Sequence, residues 1–367
     1  MVQCLLHSPP LRAHLIGGGH AGGTGGGNAA CPHAHCALCE LERLARRPAD
    51  RTASSPTDLR HHLAKRSPEF AKGHQADAHE CLVATLDILE GCTLPGADPA
   101  ANLVRCLTTS HLDYTITFPQ PCPDHPQPCP PRVQTALTTI HSLSIEKIVT
   151  LEDALRGYLR AVPMDGDNQA ICYECQHEQD AEQQLSLPDA APIFMVHLKR
   201  FDAHGDKDAR RVTFAASLKL GEFLPAPPHA ARGSQPHLAR LTGVVVHHGP
   251  TVQEGHYTAF VRDANHPDTW WEADDADVRQ VPLTEVLAAE AYLSPLLLVW
   301  GHSVGSRGCH GAGPRLPDSA ATSARGRRAP RTAPLVAMRQ PDDPARRSHC
   351  TTARPAPCPV PQRGAHR

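Results

Sequence analysis

The hydrophobic pattern of this chain changes near residue 193, and the change limits the folds that the chain can adopt. Before that point apolar residues recur at helical spacing, most regularly over a predicted helix at 74–90. Beyond it, short apolar runs alternate with turns rich in Gly, Pro, Asp and Asn, as in antiparallel sheets. Helices followed by strands predict an α+β fold. Strands are predicted at 193–198, 211–214, 241–247, 256–262, 270–272 and 296–299, and 241–247 is apolar enough to be central.

The first half contains further predicted elements. A helix within residues 1–15 is expected to stop at Pro9-Pro10. Another helix begins with Ser55 as its N-cap and Pro56 at its first position. Helices are also predicted at 38–47 and 150–159, with a strand at 113–118 and a Pro/Cys-rich insert at 119–132 that cannot pair in a sheet.

The last part of the chain differs in composition from the rest. Residues 302–367 contain twelve arginines, three aspartates and no Lys, Phe, Trp or Tyr, which gives them a charge of about +9. A segment so poor in aromatic residues and so rich in Pro, Ala, Arg and Ser cannot bury enough apolar surface to offset its ordering entropy. We therefore predict one folded domain over 1–301, with a charge of about −11, and a disordered tail over 302–367.

The overall composition excludes several classes of protein. A formal net charge of −2 argues against a strongly basic nucleic-acid binder. No run of about 18 apolar residues occurs, so we expect no membrane partner. The start lacks the pattern of a signal peptide, which predicts an intracellular location, cytoplasm or nucleus, where the 14 cysteines serve metal binding, catalysis or burial rather than disulfides. The Gly-rich insert 17–27 lacks the Gly-Lys-Ser/Thr of a phosphate loop and is predicted to be a flexible link.

The densest chemical signal is a histidine and an aspartate on neighbouring predicted strands. His256 follows Gly255 at the start of one strand, and Asp274 comes eighteen positions later, after the next. A histidine that accepts a proton needs a carboxylate to fix its tautomer and to stabilise its charged form. On these residues alone, a structural histidine with a chance acidic neighbour is the better explanation.

Five segments that occur in a fixed order change that balance. They are Ser55-Pro56 with Gln75-Ala-Asp77-Ala-His79-Glu80, Asp165 to Cys175, Pro192 to Phe201, Val244 to Gly249, and Gly255-His256-Tyr257 with Trp270 to Asp275. In sequence and spacing these segments resemble the ubiquitin-specific protease family of papain-like cysteine deubiquitinases. The resemblance covers about residues 1–300.

The resemblance implies a hand-like fold, with a helical thumb and an antiparallel palm and fingers. It implies cleavage of the isopeptide or peptide bond after the C-terminal glycine of ubiquitin, with ubiquitin and ubiquitinated proteins as partners and no cofactor required. His256 would be the general base, Asp274 its orienting partner and Asp275 a polar support. Asp77 and Glu80 match positions that hold the basic tail of ubiquitin, although without the resemblance ordinary first-turn acids explain them better.

The sequence departs from the family at the nucleophile. The family's Asn-Thr-Cys-Tyr-Met-Asn-Ser box precedes a helix that resembles residues 3–6, so the nucleophile would lie about five positions before Met1. Cys4 is no substitute, because it is expected on the buried side of that helix, where a thiol is inert. We therefore expect this chain to be inactive. It is either an N-terminally truncated part of an active thiol hydrolase or a ubiquitin-binding pseudoenzyme, and an interaction scaffold that acts through the tail is the third hypothesis.

The resemblance also implies a zinc site at the fingertips, made by two Cys-x-x-Cys pairs. Cys172 and Cys175 form the second pair, whereas the first keeps Cys106 and has Thr109 in place of its partner. Three residues of the insert could complete the set: Cys122, His125 and Cys129. Structural zinc and reduced, unliganded thiols both stay open.

Three other cysteines lie close together in the sequence. Cys31, Cys36 and Cys39 resemble a Cys…His-Cys-x-x-Cys stretch of the family that precedes a helix. We expect partial burial under the thumb for these cysteines rather than metal binding.

Overall fold

Both the helical and the strand-rich half predicted from the sequence are present in the computed structural model. It describes residues 1–17, 31, 35–46, 55–71, 76–92, 102–120, 129–172, 174, 176–225, 238–252 and 254–299. All of them belong to one unit of the chain, Met1–Gly313. The predictions for the Gly-rich insert after Gly17, for residues 121–128 and for the tail 302–367 lie outside the described residues.

A helical layer precedes the first strand. It consists of α1 (Val2–Leu6), α2 (Pro9–Ile16), α3 (Ala37–Arg46), α4 (Thr57–Arg66), α5 (Ala78–Gly91) and α6 (Leu103–Thr108). Side-chain caps fix two of the starts, because Asp77 accepts the backbone N–H groups of His79 and Glu80, and Asn102 accepts that of Arg105. Two later helices, α7 (Leu151–Tyr158) and α8 (Leu283–Ala288), lie between strands in the sequence.

Two small β structures follow the helical layer. The small sheet has the order β2-β1-β7-β4 and is formed by β1 (Ser110–Thr117), β2 (Arg132–Thr138), β4 (Val162–Met164) and β7 (Ala181–Ser186). A separate two-stranded pair is formed by β5 (Ala170–Ile171) and β6 (Glu178–Gln179).

The large sheet contains the candidate site. Its strands are β3 (Ile140–Ser144), β8 (Ile193–Lys199), β9 (Ser217–Lys219), β10 (Leu238–Leu241), β11 (Gly243–His248), β12 (His256–Arg262), β13 (Trp270–Asp274), β14 (Asp277–Val281) and β15 (Ala291–Val299). The order is β14-β13-β12-β11-β15-β10-β9, with β8 paired to β15 and β3 parallel to β8. The predicted central strand is therefore confirmed as β11, which lies between β12 and β15.

Apolar clusters cover both faces of the large sheet, which explains why its inner strands are nearly continuous apolar runs. Alternate residues of β11 belong to different clusters, because Val245 packs with the helical layer whereas Val244 and Val246 pack with α7 and the other face. Phe260 of β12 belongs to that second cluster, and its neighbour Val261 belongs to the first. The strands that carry the site are thus held from two sides.

Three helix boundaries differ from the predictions. Pro9 and Pro10 end the first helix but also begin α2, since the first turn of a helix needs no N–H from them. The helix predicted from His74 begins only at Ala78, because the Asp77 side chain caps it there. At α4 the N-cap position is Pro56 rather than Ser55, a shift of one residue.

Several strand predictions also need correction. The run 241–247 is broken at Thr242, whose N–H and hydroxyl both donate to the carbonyl oxygen of Pro295. Residues 211–214 form no strand of the sheet, because Thr213 pairs instead with Thr150, next to α7. β2 begins at Arg132, inside the insert predicted to be unpaired, and β15 begins five residues before the predicted start.

Within the described part of the chain, no helix is both long and apolar enough to cross a membrane.

Arg200, a buried arginine that was not predicted from the sequence, directly follows β8 and links the end of that strand to β15. Arg200 is 1% exposed, and its guanidinium donates to the carbonyl oxygens of Ala291, Asp208 and Arg210 at 2.7, 2.9 and 2.8 Å. Burial lowers the pKa of this guanidinium. The three carbonyl oxygens would be left without these donors if the arginine were replaced.

We therefore predict that Arg200→Met lowers the free energy of unfolding by about 3 kcal/mol, because charged hydrogen bonds are lost and buried carbonyl groups lose their donors. Urea unfolding followed by circular dichroism measures this. Arg66→Met is the matched control, since Arg66 is half exposed and forms an exposed ion pair with Asp87. Equal midpoints for the two variants would contradict the role given to Arg200.

Candidate active site

His256 and Asp274 meet at the end of the large sheet. His256 is the first residue of β12, Asp274 is the last of β13, and the antiparallel register places them diagonally across the two strands. His256 Nε2 lies 2.5 Å from Asp274 Oδ1, with both side chains about half exposed. The predicted proximity is confirmed. Because the carboxylate binds Nε2, the other ring nitrogen, Nδ1, is left to accept a proton.

Asp275 lies in the turn that joins β13 to β14. Its φ of 49° is in the left-handed region, which suits a residue in a tight hairpin connection. A carboxylate oxygen of Asp275, one of Asp274 and a ring nitrogen of His256 all lie within 4.8 Å of one another. The structure thus brings together all three residues predicted for this part of the site.

Gly255 permits the close packing around His256. A Cβ atom on Gly255 would lie 2.1 Å from His247 Nε2 and 2.6 Å from the carbonyl oxygen of His248. The His247 ring is buried against Phe201 and Tyr257, with ring centroids 5.1 and 4.8 Å away. Burial lowers the pKa of His247, so its ring is neutral near pH 7. Because the His247 ring is packed on both sides, it cannot easily make room for a larger residue at position 255.

Asp77 joins the helical layer to the large sheet. Its Oδ1 caps α5, while its Oδ2 accepts the hydroxyl groups of Tyr257 on β12 and Tyr292 on β15 at 3.1 and 2.5 Å. Burial and the Asp77 charge raise the pKa of both phenols, which keeps them protonated as donors. Asp77, which the resemblance predicted to hold a basic tail, thus has a structural role in this fold.

Glu80 differs from Asp77 because its carboxylate is exposed. Partial desolvation, then repulsion from Glu69 and Asp77, raise the pKa of Glu80. A cationic group placed here would relieve that repulsion. Of the two acids predicted to bind a basic peptide, Glu80 is the one with an open carboxylate.

Cys4 is remote from His256, as predicted. Its Sγ would lie 2.9 Å from a Cβ on Gly243, so it packs against that end of β11. His248, at the opposite end of β11, is the residue that pairs with His256. Gly243 and His248 are five residue steps apart along the strand, a distance of about 17 Å. Cys4 is also buried, which raises the pKa of its thiol. Cys4 therefore cannot transfer its thiol proton to His256.

The cysteines predicted for a finger zinc site do not all converge. Cys129 Sγ and Cys172 Sγ are 3.1 Å apart and buried beside Phe118, where β1 ends. Cys106 lies in α6, before β1 begins, so the length of that strand, about 25 Å, separates it from Cys172. Cys175, Cys122 and His125 lie outside the described residues. The described residues therefore provide two of the four thiolates that a closed tetrahedral site needs.

Several residues of the site could not be predicted from the sequence pattern. His79 and His197 stack with ring centroids 4.1 Å apart, and Ser142 Oγ lies 3.0 Å from His197 Nδ1. Tyr292, whose ring packs on His197, belongs to a strand whose start was placed too late. One signal was visible in the sequence, the tyrosine directly after His256. Because side chains alternate along a strand, Tyr257 points to the opposite face of the sheet from His256, where it can contact other elements.

A helical layer packed on an antiparallel sheet, with a His–Asp pair at one end, defines a papain-like hydrolase fold. A family model described as ubiquitin carboxyl-terminal hydrolase matches residues 1–294. The chain therefore belongs to the ubiquitin carboxyl-terminal hydrolase family. The helical layer, the large sheet and the small sheet are the thumb, palm and fingers of that fold.

Two relatives share between a quarter and a third of their aligned residues with this chain. Ubiquitin carboxyl-terminal hydrolase 23 of Arabidopsis thaliana is 29% identical over 308 residues, which cover 80% of this chain and 33% of that protein. Ubiquitin carboxyl-terminal hydrolase 27 of Homo sapiens is 27% identical over 334 residues, covering 80% of this chain and 74% of that protein. The chain thus spans only a third of the Arabidopsis relative.

Solved structures give the same fold. The SAGA Ubp8/Sgf11/Sus1/Sgf73 DUB module bound to ubiquitin aldehyde contains a chain that aligns with a TM-score of 0.66 at 23% identity. The alignment covers 81% of this chain and 66% of that chain. The same module bound to monoubiquitin gives a TM-score of 0.64 at 22% identity. At this identity the likeness establishes the fold.

We predict that Gly255→Ala displaces His256 and lowers the free energy of unfolding by about 1–3 kcal/mol, because the added methyl group overlaps His247 and the backbone. Heteronuclear NMR of the imidazole resonances reports the displacement, and urea unfolding reports the stability. Gly157→Ala in α7 is the control, since nothing lies within 4 Å of a Cβ there. If both variants kept wild-type spectra and stability, the close packing at Gly255 would be refuted.

Proposed function

We propose that this domain serves protein deubiquitination, by thiol-protease cleavage after the C-terminal glycine of ubiquitin. The observation that carries the proposal is the hydrogen bond between His256 Nε2 and Asp274 Oδ1 at the end of the palm. Asp274 holds the imidazole and stabilises its cation, so that Nδ1 takes the proton of a cysteine thiol and later returns it to the leaving amine. Asp275 adds a second carboxylate, with an oxygen within 4.8 Å of a ring nitrogen of His256.

Recognition of the ubiquitin tail rests on the start of α5. Glu80 presents an open carboxylate to a basic peptide, and the neighbouring charges of Asp77 and Glu69 strengthen the local negative potential. Asp77 contributes mainly by position, because Tyr257 and Tyr292 already donate to its outer oxygen. We propose ubiquitin and ubiquitinated proteins as partners, inside the cell, in a reducing compartment that suits a thiol enzyme.

The described cysteines do not supply the nucleophile in this proposal. Among the described residues, the ligand-type side chains that converge on His256 are Asp274 and Asp275, without a cysteine. The same observation supports the second candidate function, a ubiquitin-binding domain without hydrolysis. The two functions differ in one property, which is activity after a thiol is placed beside His256.

This chain should not react with a ubiquitin whose C-terminus carries an electrophile, because no described thiol lies beside the base. Intact-mass spectrometry after incubation measures the adduct. Labelling of a native cysteine at neutral pH that disappears in His256→Ala would show that His256 activates a native thiol, which contradicts the prediction.

A graft separates the two candidate functions. The heptapeptide Asn-Thr-Cys-Tyr-Met-Asn-Ser is placed ahead of Met1, so that its thiol lies seven positions before Gln3, on the N-terminal side of α1. The hybrid should release a fluorophore from the ubiquitin C-terminus, His256→Ala should abolish release, and Asp274→Ala should slow it by orders of magnitude. A folded hybrid that binds ubiquitin but releases nothing would favour the binding domain instead.

Ubiquitin binding should weaken as the pH falls. A basic tail favours the ionised form of Glu80, whose pKa in the free protein is raised, so affinity is lost as the pH falls through that raised pKa. Glu80→Gln should weaken binding about two- to fivefold at neutral pH and should remove part of the pH and salt dependence. Titration calorimetry measures both effects. Glu146→Gln, an exposed acid distant in sequence from α5, is the control and should bind like the wild type.

A further inference from the structure

A buried lysine lies beside the connection that leads into His256, and the proposed mechanism does not use it. The side chain of Lys207 is 8% exposed. Its ammonium group donates to the carbonyl oxygen of His247, near the end of β11, at 2.6 Å and pairs with the carboxylate of Glu290 at 3.0 Å. Lysine is rarely buried without a partner, because removal of its charge from water is costly. These two contacts offset that cost and give the ammonium group a fixed place in the fold.

The ammonium group extends the link between two strands of the large sheet. β11 and β15 pair as far as Val246 and Ala291, and Ala291 is the first residue of β15. Strand β15 therefore offers no residue opposite His247, the next residue of β11. Lys207 bridges this gap, since it joins the His247 carbonyl to Glu290, the residue that precedes β15. The link between the two strands thus continues by one residue toward the end of β11.

The backbone around Lys207 also contacts the connection between β11 and β12, residues 249–255. The N–H of Lys207 donates to the carbonyl oxygen of Pro250 at 2.9 Å, and the N–H of Val252 donates to that of Gly205 at 3.0 Å. The residues between these two pairs form an antiparallel bridge. Side chain and backbone of the same lysine therefore hold both the end of β11 and the connection that follows it.

A displacement of His247 would be passed on to His256. A Cβ atom on Gly255 would lie 2.1 Å from His247 Nε2, so the ring of His247 and the backbone before His256 are already in tight contact. His256 Nε2 in turn lies 2.5 Å from Asp274 Oδ1. Because a hydrogen bond weakens steeply when it is misaligned, a small shift of the first residue of β12 is enough to disturb this pair.

We propose that Lys207 is a positioning residue for His256. It holds the His247 carbonyl and the backbone of Pro250, while Glu290 anchors its ammonium group, and it thereby fixes the point at which β12 begins. Lys207 acts through the backbone and not through the reacting atoms. This role rests on the proposed function, because it is the use of His256 as a base that requires its imidazole to be held in place.

The test compares Lys207→Met with Lys219→Met in the full chain. Methionine keeps an unbranched apolar side chain and removes the charge and the donor. Lys219 is the matched control, because it is an exposed lysine on β9, an edge strand of the same sheet. Heteronuclear NMR should show displaced or broadened imidazole signals of His256 and shifted amide signals of Val252 in Lys207→Met, and wild-type signals in Lys219→Met. A Lys207→Met variant that is less stable toward urea but keeps the His256 signals would show a merely structural lysine and overturn the proposal.

Glu290→Ala keeps the test decisive if Lys207→Met does not fold. The side chain of Glu290 is 42% exposed, so its removal leaves the core intact, while Lys207 loses its counter-charge. The signals of His256 and Val252 should then shift in the same direction as expected for Lys207→Met, by a smaller amount. Unchanged signals in the folded Glu290→Ala variant would overturn the proposal.

Activity separates this inference from the proposed function. In the hybrid that carries the heptapeptide, Lys207→Met should lower kcat about five- to tenfold, the factor that corresponds to loss of one charged hydrogen bond. KM should stay nearly unchanged, because the carboxylate of Glu80 that faces the basic tail is not altered. A raised KM with an unchanged kcat would contradict the positioning role. A hybrid that is silent before any substitution would count against the proposed function alone, since the NMR comparison does not depend on catalysis.

Discussion

The position of the candidate site depends on one carboxylate. Asp77 closes the start of α5 with one oxygen and receives two tyrosine hydroxyls from β12 and β15 with the other. A helix of the thumb and two strands of the palm are thus tied at a single point, one residue from His256 along β12. Hydrogen bonds to a charged acceptor contribute more than neutral ones, so this contact holds the two layers in register beside the cleft.

The sequence predicted the elements whose physical signal is local. Alternation identified β12 and β13, and the antiparallel pairing then brought His256 and Asp274 together. Boundaries failed where a tertiary contact decided them: Asp77 started α5 late, and Thr242 broke a strand to satisfy the carbonyl of Pro295. Arg200, a charged residue in the centre of the core, carried no periodic signal, because its partners are backbone carbonyls distant in the sequence.

The residues of the site divide in the same way. The family resemblance gave Asp77 and Glu80 the same predicted role. In the structure their environments differ, because tyrosine hydroxyls donate to Asp77 whereas the carboxylate of Glu80 is exposed. Spacing could not reveal that Cys106 and Cys172 lie at opposite ends of β1, nor that three cysteines before and within α3 converge. Distances between side chains on different elements are set by packing, which a single sequence does not display.

A double-mutant cycle measures how strongly Asp77 couples the thumb to the palm. Urea unfolding of the wild type, Asp77→Ala, Tyr292→Phe and the double variant gives the coupling free energy. We expect a coupling free energy of about 1.5–3 kcal/mol, because each single change removes the same charged hydrogen bond. The pair Asp77→Ala and Tyr158→Phe, with Tyr158 in the other apolar cluster, should be additive. Additivity within about 0.5 kcal/mol for Asp77 and Tyr292 as well would show that this contact does not couple the two layers.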